Sequence, residues 1–579
     1  METTGWTYDG GVFGLGRMTT MSDPTGSTAY AYDRRGLLIR EAKTVGGGTY
    51  TTRYAYDRDG NRTAVTYPSG RVAGWSFDLA GRAVAAELNG VPLVSGVEYL
   101  PFGPAVAALY GNGTRRQSTY DSRYRMLTNE LHGAAGPLAS YAYGYDAARN
   151  VTTLDDLLDR GYDRDYGYDD LGRLTRADGG AALWGSGVYG YDAMGNLLSA
   201  TLGTARTATF THVGTTPKLA SVSENGTARS VAYDAAGNEV TVGVATYAYS
   251  PRNALAEGEG ASFSYDGRGV RTLTTRGASG RISLYTPELN LMAESEESTL
   301  PGRGIAYEYV WFGGQPLVQV ENATGAVAWY FDDHLGTPLL QTDATGSVIW
   351  RAEYEPYGSV YAWRTGANRH QPLRFPGQEA DGGELAYNIF RWCRAGWGRY
   401  TQADPIGLDG GTNLFGYVRG NPVRYRDPLG LKICVVIMHG PYVQIGPLWG
   451  GVVSHTSFYS DGQCGGPCQG PPPFLFDPGG SFPAGGQRPW GSDVLDNPNI
   501  EDYLDYHRKA GDKVDVYCFN TSCCEEQRIY DRVADLGAQP GGTCTFNVSD
   551  ALDDVGPFKD LARWPGPLSR SIRRAAGRR

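Results

Sequence analysis

The sequence predicts a mostly β protein, and three observations carry that prediction. A Tyr-Asp-x-x-Gly-Asn/Arg unit recurs along the first part of the chain. Glycine and tyrosine, at 82 and 40 of 579 residues, far exceed ordinary usage and point to many turns between short strands. Flanks such as Ala-Tyr-Ala-Tyr before Asp33 alternate with the strand period of two. A hydrophobic content of 41% is enough for several cores.

The repeats come first. Tyr32-Asp33-Arg34-Arg35-Gly36, Tyr56-Asp57-Arg58-Asp59-Gly60-Asn61, Tyr168-Asp169-Asp170-Leu171-Gly172-Arg173, Tyr191-Asp192-Ala193-Met194-Gly195-Asn196 and Tyr233-Asp234-Ala235-Ala236-Gly237-Asn238 share one template, with Phe77-Asp78-Leu79-Ala80-Gly81-Arg82 as a variant. Unbroken copies lie 21 to 24 residues apart. The aspartate can hydrogen-bond forward to its own backbone and the glycine supplies a positive φ, so each unit is expected to be a β-hairpin with its tyrosine packed on the next copy. Residues 1–330 are assigned to this repeat region.

Charge and cysteine use narrow the function classes. A net charge of −10 argues against a general nucleic-acid-binding surface, and no nucleic acid is expected on the repeats, because phosphate contact needs clustered Lys and Arg. An enzyme acting on nucleic acid stays open. No apolar run approaches the roughly 20 residues of a membrane helix, so no transmembrane segment is expected. The start, Met1-Glu2-Thr3-Thr4-Gly5-Trp6, lacks a basic-then-apolar layout, so export would proceed without a cleavable signal peptide. Of eight cysteines only Cys393 precedes residue 431. Two chemically different regions share one chain.

Beyond the repeats, Asp333-His334-Leu335-Gly336-Thr337-Pro338, Tyr354-Glu355-Pro356-Tyr357-Gly358, Phe375-Pro376-Gly377-Gln378, Asn388-Ile389-Phe390-Arg391 and Gly398-Arg399-Tyr400 follow in order, before Asp404-Pro405-Ile406-Gly407-Leu408. With the repeats, this series resembles the Rhs/YD-repeat family of polymorphic toxins over roughly residues 5 to 431. The resemblance implies a long β-sheet coiled into a hollow shell around a variable C-terminal toxin, made in the bacterial cytoplasm and delivered into a target cell by a secretion apparatus, such as a type VI system, or an adaptor. It also implies a cognate immunity protein. The repeat pattern is under way by Tyr8-Asp9-Gly10, so the shell is expected to be truncated at its N-terminal side. Residues 331–431 carry the terminal signature. One departure stands out: the family's Arg-Tyr-Tyr-Asp-Pro segment is here Arg391-Trp392-Cys393-Arg394-Ala395-Gly396-Trp397.

A second Asp-Pro-x-Gly-Leu, Asp427 to Leu431, follows the first after 23 residues. In the resembled family the chain is cut just after it by two aspartates. Carried across, this implies Asp404 and Asp427 as the dyad, Arg399 as the residue that orients or charge-balances them, and Leu431–Lys432 as the scissile bond. Two carboxyls held close cannot both ionise, so one keeps its proton as acid while the other activates water. The alternative is that both Asp-Pro units simply initiate turns.

Residues 432–579 are assigned to the cargo, with an α+β fold. Ile433 to Met438 and Val514 to Cys518 are expected strands, as is the segment from Gly451 to Tyr459, and helices are expected over Ile500 to Lys509 and Cys523 to Leu536. Cys544 follows Gly541-Gly542-Thr543 at the start of an amphipathic helical pattern, where backbone N–H groups favour a thiolate. His455 is its candidate base and Asp477 the group orienting the imidazole. The order His, Asp, Cys resembles the permuted branch of the NlpC/P60-type, papain-like cysteine hydrolases over Ser454 to Phe458, Phe476 to Gly480 and Thr543 to Leu552. That resemblance implies a cysteine hydrolase acting on an amide or ester.

Other readings remain beside it. Cys544 can be a small buried apolar residue and His455 a packed one. Cys464, Cys468, Cys523 and Cys524 can form disulfides, while their spacing matches no standard zinc module, and the absence of His-x-Glu with Cys-x-x-Cys argues against a zinc deaminase. Gly479-Gly480-Ser481 lacks the lysine of a phosphate-binding loop, so no cofactor or metal is expected. A nuclease or nucleotide-targeting cargo would use His439, Asp477 and the tail Arg563 to Arg579, which has six arginines and no acid. A non-enzymatic repeat scaffold or adhesin is the third possibility.

Overall fold

The computed structural model describes residues 3–101, 103–299, 302–405, 407 and 413–429, together with the strand backbones 433–439, 455–460, 474–476, 494–496 and 513–519. Contacts divide the chain into two compact units: Met1–Gln402 with Phe415–Leu429, and Ala403–Leu414 with Gly430–Arg579. Residues 331–402 thus fall in the same unit as the repeats.

In the first unit a 23-stranded antiparallel sheet runs from Gly5–Tyr8 to Ala245–Thr246, and a 12-stranded one from Ala248–Tyr249 to Val360–Thr365. Each strand pairs with its predecessor and successor along the chain, a continuous meander. All six repeat turns quoted above join consecutive strands. Tyr168 ends the strand Arg164–Tyr168, the Gly172 N–H donates to the Asp169 carbonyl at 2.9 Å, and Leu174–Gly179 returns.

The turn chemistry explains the Asp and the Asn/Arg positions. Asp169 Oδ1 accepts from the backbone N–H of Leu171 (3.0 Å) and Arg173 (2.9 Å), while Oδ2 accepts from Arg173 Nε at 2.7 Å. Asn196 plays the arginine's part for Asp192, donating its N–H to Oδ1 at 2.8 Å and its Nδ2–H to Oδ2 at 2.7 Å. Gly172 has φ +74°, yet the same position is held by Tyr124 (φ 59°) and Arg149 (φ 70°) in two turns that the glycine template does not find.

The tyrosines reach the opposite way from the expectation. Three hydroxyls donate back to a carbonyl at the start of the preceding strand, Tyr56 to Leu38 (2.8 Å), Tyr145 to Met126 (2.8 Å) and Tyr168 to Val151 (2.7 Å), whereas Tyr233 accepts there from the Leu219 N–H (2.9 Å) and Tyr191 bonds the Tyr357 hydroxyl. An antiparallel meander sets the end of one strand beside the beginning of the one before it, which fixes that direction. The forward link comes from arginine. Arg173 Nη1 donates to the Asp192 carbonyl at 2.6 Å, with its guanidinium 4.9 Å from the Tyr191 ring centre.

The second sheet lies alongside the first in the same chain direction. Tyr50 donates to the Arg303 carbonyl, Tyr67 to that of Tyr309, Trp329 Nε1 to that of Leu93, Asn112 to Thr342, and Arg164 to Glu353. The sequence separation across these contacts falls from 253 at Tyr50 to 189 at Arg164 and 166 at Tyr191–Tyr357. The strip returns alongside itself in a shortening lap. One connected cluster of buried side chains, from Val45 to Val423, fills the space between.

The second unit contains a five-stranded antiparallel sheet in the order Val494–Asp496, Phe474–Phe476, His455–Ser460, Ile433–His439, Lys513–Phe519. The expected strands at 433–438 and 514–518 are present, and the segment beginning at Gly451 is described as a strand from His455. The strand Val494–Asp496 lacks a clear pattern in the sequence. Both expected helices lie outside the described residues.

Candidate functional site

The signature segments converge on Asp427. A four-stranded antiparallel sheet, Glu379–Ala380, Ala386–Asn388, Arg391–Arg394 and Arg399–Tyr400, carries the groups that reach it. Asn388 and Arg391 pair across a two-residue turn, and Cys393 pairs with Tyr400. Strand alternation therefore puts Asn388, Arg391, Cys393 and Tyr400 on one face. Trp392, Arg394 and Arg399 take the other.

Asp427 sits on the first face. Its Oδ2 accepts from Arg391 Nη2 at 3.0 Å and from the Tyr400 hydroxyl at 2.9 Å. Asn388 Nδ2 donates to the Asp427 carbonyl at 3.1 Å and to the Tyr400 oxygen at 2.8 Å, so one amide ties the aspartate's backbone to its hydroxyl partner. The Arg391 guanidinium stacks 3.5 Å from the Tyr400 ring centre. Arg391 is 3% exposed and the Asp427 side chain 15%. Burial, and then the charge of Asp427, push the Tyr400 phenol well above its ordinary range, which keeps it a neutral donor. Burial pushes the adjacent Cys393 thiol up to about 12, with Asp427 adding to the effect, so it stays protonated and unreactive.

The next residue, Pro428, rests on the Phe375-Pro376-Gly377-Gln378 turn. A Cβ at Gly377 (φ +82°) would come within 2.2 Å of the Pro428 carbonyl oxygen, so only glycine fits there. Aromatic contacts join the remaining motifs: Tyr354 with Phe375 (6.1 Å), Phe375 with Tyr417 (6.3 Å), and Tyr417 with Tyr400 (5.9 Å).

Arg399 lies elsewhere. Its Nη2 donates to the Pro217 carbonyl at 3.0 Å, its guanidinium covers Phe415 at 4.9 Å, and its Nε is 3.7 Å from Glu239. The arginine on Asp427 is instead Arg391, eight residues earlier. The parity of the two strands separates them: Arg399 precedes Tyr400 by one residue and so points to the opposite face. Arg391 stands in the Asn388-Ile389-Phe390-Arg391 motif, whose spacing alone gives it no role. Counting alternate positions from Tyr400 through its partner Cys393 would have found it.

Asp404 belongs to the second compact unit. Its N–H donates to the Leu414 carbonyl at 2.8 Å and its carbonyl accepts from Gly407 N–H at 3.0 Å, the geometry of a turn. His455 begins the strand His455–Ser460, opposite Met438 in register. Asp477, Cys544, Leu431 and Lys432 lie outside the described residues.

Comparison with known proteins agrees with this architecture. An RHS repeat model matches residues 32–72 and an RHS protein model matches 319–362. The chain is 30% identical over 237 residues to double-stranded DNA deaminase toxin A of Burkholderia cenocepacia, covering 39% of this chain and 16% of that protein. It is 39% identical over 130 residues to toxin protein Tse5 of Pseudomonas aeruginosa, covering 22% and 10% respectively. Its fold is similar to that in the crystal structure of TcdB2-TccC3, with a TM-score of 0.63 and 19% identity over 74% of this chain and 26% of that one. The chain thus spans between 10% and 26% of the length of these relatives. A meander of Tyr-Asp turns ending in the terminal signature defines a YD-repeat sheet protein. Over these stretches the chain is similar to the Rhs/YD-repeat polymorphic toxins, whose family models and toxin members it matches in part.

Proposed function

We propose that this chain is an Rhs-type effector whose repeat sheet encloses a C-terminal toxin and which cuts itself between Leu431 and Lys432. The observation that carries this reading is the seat of Asp427, where Arg391, Tyr400 and Asn388 fix a carboxylate four residues before that bond. In the proposed reaction Asp427 and Asp404 form a carboxyl pair. One takes a proton from water as the oxygen attacks the Leu431 carbonyl, and the other gives its proton to the Lys432 nitrogen as the C–N bond breaks. Arg391 and Tyr400 hold the orientation of Asp427. Arg399 supports the neighbouring strand.

The released domain of 148 residues would be the toxin. Its leading assignment is a cysteine hydrolase in which Cys544 attacks an amide or ester, His455 carries the proton and Asp477 orients it. A second reading, a cargo acting on nucleic acid, is favoured by two relatives, one named a double-stranded DNA deaminase toxin and the other a probable deoxyribonuclease. The toxin reading implies an immunity protein for the producing cell and a delivery apparatus. Among the described residues, no helix is long and apolar enough to cross a membrane.

Intact mass of the expressed chain tests the cleavage. Fragments of 431 and 148 residues are expected. Asp427→Asn and Asp404→Asn should each leave one full-length species, and a wild-type chain that stays whole would sink the reading. Expression of residues 432–579 with and without Cys544→Ala tests the cargo. Toxicity that survives the substitution excludes the thiol mechanism.

A further inference from the structure

Between the two Asp-Pro motifs a strap crosses both laps of the strip before it delivers Asp427. It begins with three successive residues in the left-handed region, Val418 (φ 41°), Arg419 (φ 54°) and Gly420 (φ 77°). That conformation is strained for a β-branched valine and for arginine, so something must hold it. Asn421 follows at once. It is 1% exposed, and its Nδ2 donates to Asn150 Oδ1 at 2.9 Å and to the Gly172 carbonyl at 2.7 Å. Both acceptors belong to repeat turns of the first lap. Arg424 adds a bond from Nη1 to the Ala148 carbonyl at 2.7 Å.

The strap is then fixed to the second lap. The Val423 carbonyl lies 2.8 Å from His334 Nε2, and Arg426 Nη1 donates to the Leu335 carbonyl at 2.7 Å. Asp427 is the next residue. Its carboxylate is therefore aimed by a segment whose entry is set by turns around residues 148–172 and whose exit is set by the turn at 334–335.

We infer that Asn421 is a positioning residue for Asp427: by hydrogen-bonding two first-lap turns it locks the strained strap, so that self-cleavage proceeds only once the two laps lie side by side. This rests on the self-cleavage reading above. Asn421 touches no reacting atom, and its two donated bonds, rather than its volume, carry the effect.

The test is a single-turnover time course of full-length chain, started from denatured protein by dilution and read by intact mass. Asn421→Ala is expected to cut between about tenfold and 100-fold more slowly than wild type, as displacing a reacting group by a fraction of an ångström does. Its melting temperature should stay within a few degrees. Asn421→Ser, which keeps one donor, is expected to recover part of the rate. Asn421→Asp, equal in size but without a donor at neutral pH, should be as slow as Asn421→Ala. A role in packing alone reverses that order, with Asn421→Asp near wild type and Asn421→Ser slow, and would overturn the inference. So would Asn421→Ala cutting at the wild-type rate. Arg424→Ala alters a less buried anchor that the fold can spare, and a slowing of about threefold is expected. If the Asn421 variants do not fold and Arg424→Ala cuts at the wild-type rate, the inference fails. A wild-type chain that never cuts removes the self-cleavage reading itself, and the inference with it, whereas cutting indifferent to Asn421 removes only the inference.

Discussion

The two laps of the strip are built from the same hairpins but held by different forces. In the first, the Tyr-Asp turns are assembled locally: the turn at Asp169 is closed by its own aspartate and tied to its neighbours by Tyr168 behind and Arg173 ahead, while Lys43 and Arg164 reach buried carboxylates of the second lap. In the second, long-range ion pairs are buried in the interior. Arg271, whose side chain is 2% exposed, donates to Asp381 at 2.6 Å and to Glu379 at 3.0 Å. Arg281 bonds Asp381 at 2.7 Å, and Glu294 accepts from Tyr309 at 2.6 Å beside His370 at 2.7 Å. These pairs clamp residues 369–381 onto the second sheet. A local code makes register robust and each unit replaceable, whereas a buried charge cluster makes the segments that meet there interdependent.

The largest effect is expected where the cluster is broken from one side. Arg271→Met leaves Glu379 and Asp381 buried without their shared partner and should cost about 3–5 kcal/mol, read as a lower melting temperature of the whole unit. The signature sheet that seats Asp427 includes Glu379, so cleavage should fail with it. An equal effect from Asp169→Ala in a repeat turn would erase the contrast between laps.

The cluster should also impose an unusual pH response. Burial pushes Glu294 up, but His370, Arg281 and the Tyr309 hydroxyl outweigh it and hold the carboxyl at about 2. Its contribution is complete above its ordinary value of 4.5 and is lost as pH falls toward 2. Glu379 behaves oppositely: burial raises it to about 7, beyond what Arg271 offsets. Its contribution is complete below 4.5 and disappears as pH rises through about 7. Glu379→Gln should therefore gain on wild type as pH rises from 4.5 through about 7 and hold that gain above it, and Glu294→Gln should flatten the loss below 4.5. Melting curves across pH 2 to 9 check both, and parallel wild-type and variant curves would contradict the clamp.

The smallest effects belong to the first lap. Asp169→Ala removes the acceptor for two backbone N–H groups and Arg173, and about 1–2 kcal/mol is expected. Tyr168→Phe removes one bond to the Val151 carbonyl and should cost about 1 kcal/mol or less. Both should appear as faster hydrogen exchange in the flanking strands Val151–Asp156 and Leu174–Gly179, with distant strands unchanged. Spread to the whole sheet would show that the laps are equally cooperative.

Much of the fold is legible in the sequence. Tyr-Asp-x-x-Gly specified hairpins because the aspartate and the positive-φ residue determine the turn within five positions. Copies with Tyr124 or Arg149 in the glycine position escaped, since their hydrogen bonds persist without the residue that advertises them. At the site, the motifs converging on Asp427 were visible as an ordered series. Their roles were not. Arg399 drew attention by standing next to Tyr400, yet pairing in the four-stranded sheet turns it away and brings Arg391 in.

The sequence alone determined the local geometry: strand period, turn type, the place where repeats stop, and the pair of Asp-Pro motifs. These depend on interactions within a few residues, which composition and spacing encode directly. Only the tertiary structure decided which residues 253 and 271 positions apart meet, as Tyr50 meets Arg303 and Asn421 meets Asn150. Such meetings depend on the accumulated course of more than twenty strands, a sum of small steps that no single motif records. The aspartate at 427 was readable as a residue of interest, but the strap that aims it became visible only where the strip returns alongside itself.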